Sequence, residues 1–282
     1  MSVALRAPGL TEAVLDVPVT YADVPPAWDA TIVGEPYFWA EADRLRFVAD
    51  GAEMYVEADR VLFSAPDTET RATADWLLYG TAARAMLTFR RDYNIHASLV
   101  IAPSGVAVAI LGDSGAGKST TTIELLRRGW RLGSDDIVVV HHTDGGPVAH
   151  PVDRPIHLSD AAARLLGADP ALGRPIPDTV KKAYAVDTDL MPRRLSALVV
   201  LSNLAEGDEV TARRVEGLAA VPTIAVSADR YRIGKLPEHR QDFLSWTTRL
   251  CHDVPIWDLR RPADGLTVDD VADAVERITR SA

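Results

Sequence analysis

The chain has 282 residues, with 30 Lys+Arg against 40 Asp+Glu, a formal net charge of −10, and 47% hydrophobic and 25% charged residues. That length suits one large domain, or one domain with a smaller appendage, and the globular composition excludes a disordered, collagen-like or coiled-coil chain. The acidic balance argues against nucleic acid or an anionic membrane as partner, although a local basic pocket is compatible with it.

Cysteine occurs once, at Cys251, so no intrachain disulfide can form. Residues 1–20 contain Glu12 and Asp16 and do not read as a signal peptide. The richest apolar stretches, Ala97–Gly112 and Leu195–Leu204, are interrupted by Pro, Ser, Gly or Asn and fall short of the roughly 18 to 20 residues of a membrane span. A soluble, cytoplasmic protein is expected.

In chain order, Val24-Pro25-Pro26 reads as a turn or extended segment, and short β-prone runs follow: Phe38-Trp39-Ala40, Leu45–Val48, Met54–Val56 and Val61–Phe63. Asp43, Asp50-Gly51 and Asp59 separate them, which predicts a small antiparallel meander. Trp28, Trp39 and Trp76 are expected in the core. A helix is predicted from Pro66–Glu69 to about Phe89, where Ala72, Leu77, Leu78, Ala82, Ala85, Met86 and Phe89 recur at helical spacing. A boundary is expected near residue 90, dividing a β-rich accessory part (1–90) from a larger unit (91–282).

The larger unit opens with apolar runs Ile95–Ala102 and Val106–Leu111 around Pro103-Ser104-Gly105, a predicted hairpin. A glycine loop, a helix Thr120–Arg128 and β-prone runs Trp130–Leu132 and Ile137–Val140 follow. Arg174–Asp187, rich in Pro, Lys and Asp, reads as a long mobile loop. Later strands are expected at Leu195–Leu201 and Val210–Val215, and helices near Ser159–Leu166, Pro237–Arg249 and Val268–Ile278. Helices mixed with hairpins and buried strands give an α/β fold with α+β character.

Gly112-Asp113-Ser114-Gly115-Ala116-Gly117-Lys118-Ser119 satisfies G-x-x-x-x-G-K-S/T at every fixed position. Its glycines allow backbone amides to turn inward as an anion nest, and the helix that follows adds the positive end of its dipole. Lys118 is placed to reach β and γ phosphates, and Ser119 offers Mg²⁺ a hard oxygen. Residues Gly112 to Thr120 are the predicted nucleotide-binding segment.

Phosphoryl transfer also needs a metal site and a group that orients or deprotonates the acceptor. Asp135-Asp136, 16 and 17 residues beyond Ser119, is the candidate. Adjacent carboxylates in an extended segment point to opposite sides, one toward a metal and one toward an acceptor; a solvated turn is the plain alternative. His96, alone on a strand, is by itself more often a core residue than a catalytic one. His141, His142 and His150 lack a convincing zinc spacing. Arg154, Arg174, Lys181, Lys182, Arg193 and Arg194 are the cations that could meet developing charge.

The loop, then Glu124–Leu132 and Ser134-Asp135-Asp136, resembles the catalytic domain of the bacterial HPr kinase/phosphorylase family, as does the placement of His96 one strand pair upstream. Val254–Arg260 is similar to the ending of HPr-kinase-related proteins. The resemblance covers residues 93–140 well and 141–282 loosely. It implies a phosphoenolpyruvate-carboxykinase-type P-loop kinase domain that uses ATP and Mg²⁺ and transfers phosphate to a serine hydroxyl of a protein. It further implies Asp135 as base with His96 near it, Lys118 on the phosphates, and Asp136 with Ser119 at the metal.

A Glu-x-Arg-Gly-x-Gly signature is missing after residue 141, and residue 120 is Thr where the bifunctional enzymes usually have Glu. The chain thus looks more like the HPr-kinase-related group, some of which resemble kinases of natural-product precursor peptides. Expected partners are ATP and a protein or peptide acceptor, with a second copy of the chain as a candidate. A small-metabolite kinase and a non-catalytic nucleotide-dependent module are the competing readings.

Overall fold

Strands with every residue apolar must be covered on both faces. The computed structural model, which describes residues 4–30, 32–34, 38–113, 115–202, 209–228, 236–262 and 268–281, shows this for Ala107–Leu111, whose five residues are all buried. That strand lies inside a nine-stranded sheet. The order is Arg131–Ser134, Ser98–Ile101, Ala107–Leu111, Arg193–Ser202, Gly146–Pro151, Val138–Thr143 and Asn94–Ile95. Ile256–Arg260 also pairs along Arg193–Ser202, and Thr211–Val215 lies beyond it.

Ser98–Ile101 and Ala107–Leu111 form the expected hairpin. Arg193–Ser202 runs parallel to Ala107–Leu111 and to Ile256–Arg260, so the sheet is mixed. Period-two alternation sorts the side chains. Val108 and Ile110 pack with Leu125, Val271 and Val275, under helices Lys118–Arg127 and Val268–Ser281. Ala109 and Leu111 pack with Ile224, Phe243, Trp246 and Leu250, under helices Val221–Ala228 and Pro237–Asp253.

The first 90 residues build a seven-stranded sheet in the order Ala13–Val14, Val17–Tyr21, Val61–Ser64, Ala52–Glu57, Arg44–Ala49, Phe38–Ala40 and Ile32–Gly34. Its main part is the predicted meander, but Val17–Tyr21 joins Val61–Ser64 in parallel, a pairing between distant segments that local alternation does not encode. The expected single helix is interrupted. Asp67 caps Thr68–Ala74 by accepting from the Thr70 amide at 2.7 Å, a π-helical turn Leu78–Ala82 contains Gly80, and Ala83–Phe89 completes the run. Leu45, Met54, Val56, Phe63, Leu77 and Met86 form the core here, and Ile137 and Val139 close it.

Two expectations are corrected. Arg174–Asp187 is not a loop throughout: Lys181–Val186 is a strand between Ile156–Ser159 and Leu5–Arg6, with Tyr184 fully buried. Its Pro, Lys and Asp content masks the short apolar run Ala183–Val186 that anchors it. Trp76 is half-buried and packs against the N-terminal core, whereas Trp28 and Trp39 are half-buried outside it, with the guanidinium groups of Arg44 and Arg46 stacked over them at 4.4 and 4.8 Å. Among the described residues, no helix is long and apolar enough to cross a membrane.

Helix Lys118–Arg127 is tied to helix Val268–Ser281 by Arg128. It pairs with Glu124 (3.0 Å), Asp269 (3.0 Å), Asp273 (2.5 Å) and Glu276 (3.5 Å). Four carboxylates on one guanidinium form a network, which contributes more than an isolated exposed pair. Arg128→Ala is expected to lower unfolding free energy by about 1–2 kcal/mol, with part of the difference lost at high salt, as read by urea denaturation at two ionic strengths.

Candidate active site

The phosphate loop begins where the buried strand Ala107–Leu111 ends. Gly112 has φ +145°, and a Cβ there would lie 2.3 Å from the Leu201 carbonyl oxygen, so both the torsion and the space require glycine. Gly117, at φ +107°, leads into helix Lys118–Arg127. Lys118 Nζ donates to the Gly112 carbonyl and, at 3.3 Å, to that of Asp113. Ser119 is half-buried, while Asp113 and Thr120 are exposed. Ser114 lies outside the described residues.

Arg261 braces this loop. Its Nε donates to the Ala116 carbonyl at 3.0 Å and its Nη2 to the Gly115 carbonyl at 3.3 Å, while its backbone amide donates to Ser202 at 2.9 Å. Pinning the Ala116 carbonyl outward turns the Gly117 amide, in the same peptide plane, the other way.

Asp135 and Asp136 follow strand Arg131–Ser134 in a bend, not in the extended segment expected. The Ile137 amide donates to the Asp135 carbonyl at 3.0 Å, and Asp136 has φ +74°, a left-handed conformation that Asp tolerates. The two carboxylates do diverge. Asp135 accepts from Ser98 Oγ at 2.8 Å and from the His157 amide at 3.4 Å.

Asp136 enters a cluster of cations. One carboxylate oxygen pairs with His96 Nδ1; the other pairs with Arg154 and, at 3.2 Å, with Arg84. Arg84 also donates to the Asp136 carbonyl and to Asn94 Oδ1 at 3.1 Å. Arg84 and Arg154 are each only 4% exposed. Burial by itself would raise the Asp136 carboxyl, but Arg154 and Arg84, helped by His96, outweigh it and hold the group well below the usual carboxylate range. Burial, then the Arg154 charge, pushes His157 down to about 4 against the opposing pull of Asp135 and Asp136.

His96 joins the cluster to the loop. It borders a cavity of about 590 Å³ whose lining includes Gly112, Asp113, Ser202, Thr223 and Ser227. The His96 amide donates to the Ser227 carbonyl at 3.1 Å, and Ser227 Oγ donates back to the His96 carbonyl at 3.2 Å. His96, the Asp136 carboxylate and the loop's first glycine therefore belong to one connected region.

Of the cations singled out in the sequence, Arg154 alone enters this cluster. Arg174 holds Asp75 at 3.1 Å and the Pro8 carbonyl at 2.6 Å; Lys182 pairs with Asp160 at 2.8 Å and Arg193 with Asp189 at 2.9 Å. Lys181 is exposed, and Arg194 lies beside Gly146. His141 pairs with Asp92 at 3.0 Å and packs on His150, and His142 contacts the Trp246 carbonyl at 3.3 Å. No group of three or more His, Cys, Asp or Glu among the described residues is arranged to hold a metal.

Sequence reasoning missed Arg84, Ser98, His157 and Arg261. Arg84 carried a signal: it is the only charged residue between Asp75 and Arg90, inside an apolar helical run. Ser98, His157 and Arg261 carried none, since their roles arise from strand pairing across long sequence separations.

Residues 88–152 match the family described as HPr Serine kinase C-terminal domain. An HPr kinase/phosphorylase from Clostridium botulinum (strain Eklund 17B / Type B) is 47% identical over 54 residues, 19% of this chain and 17% of that protein. One from Limosilactobacillus reuteri (strain DSM 20016) is 61% identical over 41 residues, 14% of this chain and 13% of that protein. The similarity thus spans less than a fifth of these relatives' length. A solved structure, the Hpr(Ser) kinase/phosphatase from Coxiella burnetii, aligns at TM-score 0.32 and 10% identity over 67% of this chain and 88% of that one. The matched segment holds His96, the glycine loop and both aspartates, and over that segment the chain is similar to the HPr kinase family.

Proposed function

We propose that the chain is an ATP- and Mg²⁺-dependent kinase that transfers the γ-phosphoryl group to a serine hydroxyl of a protein or peptide, a natural-product precursor peptide included. The catalytic unit would be residues 91–282, with a phosphoenolpyruvate-carboxykinase-type loop arrangement and residues 1–90 as its β-rich accessory part. The observation that carries this reading is the contact of His96 with Asp136 on one side and with the Gly112–Asp113 cavity on the other. A nucleotide loop alone would need no buried carboxylate–histidine–arginine cluster beside it. The relatives' names add phosphotransfer to a protein as the family's chemistry.

The loop amides and the N-terminus of helix Lys118–Arg127 would hold the phosphates. Lys118 would exchange its Gly112 and Asp113 carbonyl partners for phosphate oxygens. Mg²⁺, when bound, neutralises charge on the phosphates; Ser119 supplies a hard oxygen suited to it, and the phosphates themselves commonly complete such a site. Asp135, held by Ser98 and the His157 amide, would accept the proton of the acceptor hydroxyl. A serine O–P bond forms as the bond between the γ-phosphorus and the β–γ bridging oxygen breaks, with ADP as leaving group. Most of the acceleration would come from positioning and charge stabilisation.

Incubation with γ-labelled ATP, Mg²⁺ and cell extract is expected to label a protein or peptide on serine; label appearing only in small molecules, or no label in any acceptor, would reject the assignment. Lys118→Met should abolish ATP binding in calorimetry. Asp135→Asn should bind ATP normally yet lose about 10²–10⁴-fold in turnover, and unchanged turnover would remove Asp135 as base.

The charge cluster also sets an acid limit. His157 takes up its proton near 4 in the folded chain, below the ordinary histidine range near 6.5, and the Asp136 carboxyl is likewise lowered. The unfolded chain therefore binds more protons as pH falls from about 6.5, and stability declines through that window to below pH 4. Urea midpoints measured from pH 7 to 4 should fall on acidification, and His157→Gln should flatten the part between about 6.5 and 4.

A further inference from the structure

The first 90 residues supply Arg84 to the charge cluster at Asp136. It projects from helix Ala83–Phe89, whose neighbours Ala82, Ala83, Ala85 and Met86 lie in the core of the N-terminal sheet. Its guanidinium donates through one nitrogen to Asn94 Oδ1 (3.1 Å) and through the other to Asp136, and that second nitrogen lies 3.1 Å from His96 Nδ1. Asp136 is thereby engaged at both oxygens, by His96 at Oδ1 and by Arg84 and Arg154 at Oδ2.

A carboxylate with two buried guanidiniums on one oxygen and an imidazole on the other is a poor Mg²⁺ ligand. The divalent ion would have to displace a charge-assisted hydrogen bond and sit beside two fixed positive charges. The same arrangement suits the orientation of His96 and of the Asp135–Asp136 bend. Arg84 cannot be replaced by Lys in this role, because a point charge cannot fork to Asn94 and Asp136 at once.

We propose that Arg84, with Asn94 holding its fork, is a positioning residue of the phosphoryl-transfer site, and that Asp136 serves as its anchor rather than as a ligand of Mg²⁺. The inference rests on the kinase reading above and assigns the N-terminal region a part in the chemistry: it delivers a cation to Asp136, the chain neighbour of the proposed base. No divergence from that reading is needed for the metal, since Ser119 and the phosphates remain available to it.

The test uses the full chain and two readouts. The first is binding of a fluorescent ATP analogue, mant-ATP, as Mg²⁺ is titrated. Arg84→Lys, Asn94→Ala and Asp136→Asn should keep the Mg²⁺ half-saturation within about twofold of wild type, because none of them removes a metal ligand. The second is turnover with γ-labelled ATP. Arg84→Lys should lower kcat about 10-fold or more with KM for ATP unchanged, Asn94→Ala should act in the same direction more weakly, and Arg84→Lys/Asp136→Asn should be no slower than Asp136→Asn alone within about threefold.

A Mg²⁺ half-saturation raised tenfold or more in Asp136→Asn makes Asp136 a metal ligand and overturns the proposal while the kinase reading stands. Unchanged kcat in Arg84→Lys overturns it as well, as does a double variant with fully multiplicative losses. Wild-type chain that binds no mant-ATP at any Mg²⁺ concentration removes the kinase reading, and the role of Arg84 with it.

Discussion

At Gly112 the buried strand of the central sheet turns into the phosphate loop so close to the Leu201 carbonyl that no side chain can occupy the position. This approach depends on the parallel pairing of Ala107–Leu111 with Arg193–Ser202, which sets Leu111 opposite Val200. The loop is therefore built against a neighbouring strand, not merely connected to one. Arg261, delivered by the segment after Ile256–Arg260, fastens the far side of the loop through the Gly115 and Ala116 carbonyls. Three segments far apart in the chain thus meet at one glycine loop, and the loop's shape is a property of the sheet that carries it.

The charge cluster at Asp136 is the second consequence of that sheet. His96 and Ser98 arrive from the strand pair before the loop, and the two aspartates from the bend after Arg131–Ser134, which pairs with Ser98–Ile101. Arg154 arrives from the segment after Gly146–Pro151, and Arg84 from the N-terminal helix. Buried ions are costly to assemble, and breaking one partner leaves the others uncompensated. Such a cluster is weak evidence for stability and better evidence for a fixed geometry. Through Arg84, the first 90 residues contribute one of the cations that surround Asp136.

The glycine loop, the buried hairpin before it, the acidic doublet and most helices were legible in the sequence because each depends on local constraints. These are torsions open only to glycine, apolar runs of strand length, and capping residues such as Asp67. The predicted loop over 174–187 failed for a related reason: charged and proline residues dominated the composition, while the strand there is held by tertiary pairing and by the buried ring of Tyr184. The extended setting of Asp135-Asp136 failed because the reversal is held by a Ser134 hydroxyl bonded to the Ile137 carbonyl at 2.6 Å, a contact no periodicity reports.

By itself, the sequence determined that a glycine loop of the G-x-x-x-x-G-K-S pattern lies between a buried strand and a helix, and that two carboxylates return near it. Those features are written in residue types and spacings short enough for local sterics to decide. The tertiary structure alone decided which cations meet Asp136, which hydroxyl holds Asp135 and which arginine braces the loop. Each of those partners comes from a segment whose approach is set by strand order and core packing, and the energy of a buried charge depends on what surrounds it rather than on what precedes it in the chain.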